Sequence, residues 1–333
     1  VAETKSYTPL LAAMSDIIQL NAEVPTELGG QRLDQVAAQL FSEYSRSRLS
    51  SWIKEGSLTV DGAVLRPRDL VHGGAVLSLR AEREAQGDWV AQDIELNIVY
   101  EDDHLLVLDK PAGLVVHPAA GHADGTLLNA LLHHVPSLAN VPRAGIVHRL
   151  DKDTTGLMVV AKTLEAQTNL VAQLQARSVS RIYEAVVAGV VVSGGTVDAP
   201  IGRHSQRRQQ MAVVTGGKPA VSHYRVLDRF RAYTHVRVKL ETGRTHQIRV
   251  HMTHIGFPLV GDPVYSGRFR IPPATNPTLV KTLREFPRQA LHARFLELDH
   301  PVTGERMSWE SPLPEDIVWL LSLLRQDREA FTG

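Results

Sequence analysis

Gly145-Ile-Val-His-Arg-Leu-Asp151-Lys-Asp153-Thr-Thr-Gly156 runs from an apolar lead-in through a polar cluster into the apolar stretch 157–160. The spacing predicts a loop held between buried strands, the second over 156–161. A carboxylate fixed in such a loop is well placed to act on a ligand, although aspartate is also a common turn residue. His-Arg-Leu-Asp superficially matches a kinase catalytic loop. No glycine-rich loop or Asp-Phe-Gly accompanies it, so a kinase is excluded.

Working outward, 183–187 and 236–240 alternate as strands, and 104–108 and 114–116 read as strands around the Pro111-Ala112-Gly113 turn. Thr126 is suited to cap a helix over 127–134, and 164–176 has helical spacing. Strands outnumber helices without regular alternation, which predicts an α+β fold with a mixed or antiparallel sheet. Leu240-Glu-Thr-Gly-Arg244-Thr-His246-Gln-Ile-Arg249-Val-His251-Met-Thr-His254 reads as strand, turn and helix. Its histidines invite a metal, but no cysteine or nearby acid supports the spacing, and no metal is expected. Arg181-Ile-Tyr183-Glu184-Ala185 lies on a strand, where Tyr183 is either a core aromatic or a stacking platform.

Upstream, residues 30–79 form a compact module. Apolar positions over 32–41 are one-sided, Ser45 would cap a second helix through 54, and Asp61-Gly62 would join a hairpin of 58–60 and 63–65. Arg46, Arg48 and Lys54 fall on that second helix. Residues 80–97 read as an acidic linker, 1–29 as an N-terminal extension, 98–325 as the main domain and 326–333 as a tail. Residues 1–13 lack the form of a signal peptide, and Met14 is the expected natural start.

The 333 residues are 43% hydrophobic and contain no cysteine, which excludes disulfides, thiolate nucleophiles and iron–sulfur clusters. No apolar run has the length of a membrane helix, and a cytoplasmic location is expected. Net charge is zero, yet 203–249 carries eleven Lys/Arg against two acids, while 82–103 carries eight acids against Arg83 alone. The basic stretch is the footprint expected of a polyanion-binding surface.

His148-Arg-Leu-Asp151-Lys-Asp-Thr-Thr-Gly156 resembles the signature of the RluA-type pseudouridine synthases. Asp109-Lys-Pro-Ala-Gly-Leu-Val-Val-His117-Pro118, Tyr183-Glu-Ala and Gly243-Arg-Thr-His-Gln-Ile-Arg-Val-His251, followed by Gly261-Asp262, are similar to that family's other motifs, in order. Residues 31–79 resemble the S4-like RNA-binding module that often precedes the catalytic domain. Thr155 stands where many members have serine. The resemblance implies a mixed-sheet synthase domain behind a small α/β S4-like module. It further implies isomerisation of uridine in large-subunit ribosomal RNA or a precursor particle, by a monomer with no cofactor.

By the same resemblance Asp151 acts as nucleophile or base, Arg249 is its cationic partner with Arg244 the second choice, and Tyr183 lines the uracil pocket. A buried carboxylate needs such a fixed cation to stay charged. Arg149 would fill the gap left by a flipped nucleotide. RNA contacts are expected from Arg149, His148, Thr155, Arg244 and His246, and from Arg46, Arg48 and Lys54. The rival readings are a non-catalytic ribosome-assembly factor that binds RNA, and a hydrolytic N-glycosidase.

Overall fold

A computed structural model describes residues 17–41, 44, 46–82, 89–118, 123–207, 210–266 and 271–332. It contains two compact units, Val1–Gly87 and Asp88–Gly333.

The first unit holds strand β1 (Ile17–Glu23), helices α1 (Leu33–Leu40) and α2 (Arg46–Glu55), and strands β2 (Leu58–Val60) and β3 (Val76–Glu82). The strands form an antiparallel sheet in the order β1-β3-β2. The apolar stripe of α1 buries Leu33, Val36 and Ala37 with Leu49 and Ile53 of α2 and with Leu77 and Leu79 of β3. Buried Asp34 accepts hydrogen bonds from Arg32 and Arg46, so Arg46 fastens the two helices together.

Several expected boundaries and elements differ in the structure. Residues 17–28 are not extension, because β1 pairs along all of β3 and Val24 is buried in the core. Val1–Ala13, the proposed start at Met14 and the Ser45 cap lie outside the described residues. The Asp61-Gly62 turn forms, but 63–65 contributes only a bridge at Ala63, and the ladder partner of β2 is β3. Residues 80–82 complete β3, while 89–97 belong to the second unit. Trp89 and Leu96 pack on its core, the Asn129 amide donates to Val90 O (2.8 Å), and Gln92 N donates to Asn129 O (3.0 Å). An acidic composition hid these apolar anchors.

The second unit runs β4 (Ile98–Glu101), β5 (Leu105–Lys110), α3 (Leu127–His134), β6 (Thr155–Ala161), α4 (Leu164–Gln175), β7 (Ser180–Ala188), β8 (Gly195–Asp198), β9 (Ile201–Arg203), β10 (Met211–Val213), β11 (Val221–Arg229), β12 (Tyr233–Leu240), α5 (Gln247–His254), α6 (Pro277–Glu285), β13 (Leu291–Asp299), β14 (Arg306–Glu310) and α7 (Glu315–Thr332). Its main sheet is ordered β4-β5-β6-β13-β7-β12-β11-β8, with β14 paired to β13. All pairings are antiparallel except β6 with β13. This is the α+β, mixed-sheet architecture expected from the sequence. The predicted strand 114–116 is instead irregular, because its carbonyls meet the start of α3, Leu127 N donating to Val115 O at 2.8 Å. The expected tail is the last turns of α7, anchored where buried Asp327 meets Arg231 at 3.2 Å.

The central strands β7 and β12 place alternate residues on opposite faces. Tyr183 pairs with Val238 and faces the core that holds Leu131 and Ile248. Glu184 turns the other way, toward His235 (3.0 Å) and Arg237 (3.0 Å). Burial works against its charge, but these two partners win and hold it down to about 2. A carboxylate depressed in the folded state stabilises fully above about pH 4.5 and progressively less as pH falls toward 2. Glu184→Gln is therefore expected to narrow the stability difference between pH 6 and pH 3 by about 2 kcal/mol in urea titrations. An unchanged difference would show that the contact carries no charge-dependent stability.

Candidate active site

The loop 147–154 lies between a 3-10 turn at Pro142–Gly145 and β6. Leu150 anchors it in the core. Lys110, fully buried at the end of β5, donates to the carbonyls of Pro111 (2.7 Å), Leu114 (3.0 Å) and Lys152 (2.8 Å). Burial lowers this lysine to about 8, against the attraction of Asp153 and Asp151. From the far end of the chain, Arg288 donates to Asp153 O (3.2 Å) and Gln289 to the Thr154 hydroxyl (3.0 Å). Gly156 then enters β6 with φ +114°, and a Cβ there would lie 2.3 Å from Ala293 O. Only glycine allows the parallel approach of β13 at that point. The loop's backbone is thus fixed on both sides, and Asp151 is presented with 17% of its side chain exposed.

Opposite it, the turn 242–245 leads from β12 into α5. The Gln247 amide gathers this turn, accepting from the Thr242 hydroxyl (2.8 Å) and Arg244 N (3.0 Å) and donating to Val221 O (2.9 Å). Two residues on, Arg249 binds both oxygens of Asp262 at 2.7 and 2.9 Å and gives its remaining Nη1 to Asp151 Oδ2 at 2.9 Å. Burial opposes the charge of Arg249, but the two carboxylates outweigh it and raise its pKa. The Tyr265 ring lies 5.0 Å from the guanidinium, and its hydroxyl meets His246 Nδ1 at 2.7 Å. His246 Nε2 stands 3.8 Å from Asp151 Oδ1. Burial lowers the pKa of His246 despite the pull of Asp151, which favours the neutral ring.

These groups open on a cleft of about 870 Å³. Its walls carry six arginines, Arg143, Arg149, Arg177, Arg181, Arg244 and Arg249, against two acids, Asp151 and Glu241. Tyr183 is buried in the wall, and burial, with Asp151 adding to it, raises the pKa of its hydroxyl so that it stays protonated. Such a cleft suits a planar base carried on an anionic strand.

Asp151, Tyr183, Arg249, Arg149, Arg244, His246 and His148 all line it. His148 is nonetheless a structural group. Its Nε2 accepts the Val159 amide at 3.1 Å, and enclosure, with Arg181 nearby, pushes it down to about 3. Thr155 is outside the cleft, where its buried hydroxyl shares a hydrogen bond with His292 Nδ1 (2.9 Å) and ties β6 to β13. The Thr155 hydroxyl is thus taken up by the scaffold, as is one ring nitrogen of His148, which still lines the cleft. His251 is likewise occupied, meeting Ser222 Oγ and Ala199 O at 2.9 Å each. Arg46, Arg48 and Lys54 lie on α2 of the first unit, with the Arg48 guanidinium 4.9 Å from the Trp52 ring. Sequence reasoning gave no role to Lys110, Asp262 or Tyr265. Lys110 and Asp262 stand in motifs that were recognised, whereas Tyr265 has no local signal.

The sequence profile of the RNA pseudouridylate synthase family matches residues 104–254, and that of the S4 domain matches 31–77. A Pseudomonas aeruginosa protein, "Ribosomal large subunit pseudouridine synthase D", is 82% identical over 96% of this chain and all of its own length. The chain belongs to the RluA-type pseudouridine synthases. Proteins of the same description from Xanthomonas campestris and Escherichia coli K12 are 58% and 55% identical over 92% and 95% of this chain, covering 92% and 97% of theirs. Human RNA Pseudouridylate Synthase Domain Containing 4 superimposes with a TM-score of 0.54 at 29% identity, over 69% of this chain and 93% of that one. The pseudouridine synthase fold thus accounts for the second unit, and an S4 domain precedes it. Among the described residues no helix is long and apolar enough to cross a membrane.

Proposed function

We propose that this pseudouridine synthase isomerises uridines of large-subunit ribosomal RNA, with Asp151 as the acting carboxylate. The observation that carries the reading is a single carboxylate paired with a buried arginine at the floor of an arginine-walled cleft, beside Tyr183. The names of the relatives support the substrate. The S4 domain supports RNA as the partner, either free or in a precursor particle. A monomer working in the cytoplasm fits this role.

The reaction breaks the N-glycosidic bond, turns the uracil and joins its carbon to the same sugar carbon. No atom is gained or lost, so no second substrate is needed. Asp151 either attacks the sugar carbon or removes a sugar proton. Its Oδ2 is engaged by Arg249, while Oδ1 faces neutral His246 across 3.8 Å and is the oxygen left to react. Arg149 is exposed, has no side-chain partner among the described residues, and is placed to enter the stack vacated by the extruded nucleotide. Arg244 donates to Pro219 O (3.0 Å) at the cleft edge.

A hydrolytic N-glycosidase would need a second working carboxylate. Glu241, the other acid of the cleft, is taken up by Arg177 and His223 at 2.6 Å each, and Asp153 does not line it. Carbodiimide mapping of ribosomal RNA from cells with and without the protein tests the proposal. Loss of specific pseudouridines is expected. Unchanged maps point to a binding factor, and abasic sites in treated RNA to hydrolysis.

Stacking on Tyr183 should contribute about 1–3 kcal/mol. Tyr183→Leu is therefore expected to lose more turnover than Tyr183→Phe, which keeps the ring. Equal losses would assign the work to the hydroxyl.

A further inference from the structure

Arg181 has no counter-charge among the described residues. It projects from β7 into the arginine-walled cleft and is 7% exposed. The other buried arginines of the second unit are each matched: Arg249 by Asp262 and Asp151, Arg288 by Asp316 at 2.7 Å. Among the described residues Arg181 forms no ion pair. Its Nε is buried without a hydrogen-bond partner, and its Nη2 reaches only the backbone oxygen of Glu241, at 3.5 Å. The Glu241 carboxylate is already held by Arg177 and His223. An enclosed guanidinium left so poorly paired is costly unless an anion arrives from outside.

We propose that Arg181 is the receptor for one phosphodiester of the bound RNA strand, next to the extruded nucleotide. This rests on the reading of the cleft as an RNA site. Arg181 and Tyr183 are two apart on one strand, so they project from the same face roughly 7 Å apart, the scale of one nucleotide. A uracil against Tyr183 then brings its own backbone to Arg181, whose planar fork suits two phosphate oxygens. The turn above leaves room for it. Gly243 does not need glycine for its backbone, yet a Cβ there would lie 2.7 Å from Arg181 Nη1. The missing side chain gives the guanidinium its space.

The test uses the full-length protein and a stem–loop RNA containing the target uridine, with each neighbouring linkage neutralised singly as a methylphosphonate. For the parent protein, one linkage should cost about tenfold to a hundredfold in kcat/KM. Arg181→Gln should show that loss on natural RNA, no added loss from that methylphosphonate, and a salt dependence of binding lower by about one phosphate contact. Arg181→Lys should recover part of it. Gly243→Ala, which crowds the guanidinium without removing its charge, should blunt the same methylphosphonate effect.

Two results overturn the proposal: no neutralised linkage matters to the parent protein, or Arg181→Gln keeps the full methylphosphonate penalty. The first needs no variant and holds even if Arg181→Gln folds poorly. A parent protein that makes no pseudouridine in any ribosomal RNA would defeat the functional reading itself, a different outcome from either of these.

Discussion

Asp151→Asn is expected to slow pseudouridine formation by about a thousandfold or more, while RNA affinity and melting temperature stay near those of the parent protein. The amide has the same shape and still offers an oxygen to Arg249 Nη1. Arg249 itself remains held by both oxygens of Asp262, so no buried charge is stranded. The loop is equally indifferent, because Lys110, Arg288 and Gln289 grip the backbone and the Thr154 hydroxyl rather than the carboxylate. What disappears is the anion that, in the proposed reaction, attacks the sugar or removes its proton. Single-turnover product formation, filter binding and thermal melting of the same preparation separate these quantities. Ordinary turnover by Asp151→Asn would reject the assignment.

Arg249→Met is expected to fail differently, losing stability as well as activity. Asp262 has no exposed side-chain surface and would be left with two backbone amides, Val264 N and Tyr265 N, as its remaining donors. Removing one partner of a buried pair typically costs about 3–5 kcal/mol. For a unit of this size that lowers the melting temperature by on the order of 10 °C. The double variant Arg249→Met/Asp262→Asn should regain part of the stability and none of the activity, because it relieves the stranded charge without restoring the cation beside Asp151. Recovery of activity in the double variant would mean that Arg249 serves only the fold.

Much of this was legible locally. β6 is buried along its whole length and apolar over 157–161, and β12 alternates over 236–240, so their patterns announce them, whereas β7 is buried throughout 183–187 rather than alternating. Asp151, Arg249 and Tyr183 meet at one cleft as the motif resemblance implied, whereas spacing alone left Asp151 as ordinary turn chemistry. Two kinds of feature escaped. One is the long-range contact: the pairing of Thr155 with His292 has no trace in the composition around either residue. The other is the polar side chain that serves the scaffold. His148 and Thr155 sit in the signature itself, and nothing in their identity says that one accepts a strand amide and the other ties two strands together. Trp89 and Leu96 were likewise masked by the acids around them.

The bracing of the Asp151 loop by Arg288 and Gln289, with Ser311 joined to Asp109 next to Lys110, has a consequence for biosynthesis. A nascent polypeptide emerging from the translating ribosome displays Asp151 early, yet lacks the supports that set it. With Asp151 acting as proposed, competence is expected only after synthesis has passed residue 311, and a product terminated earlier would carry the signature without the supports of its loop.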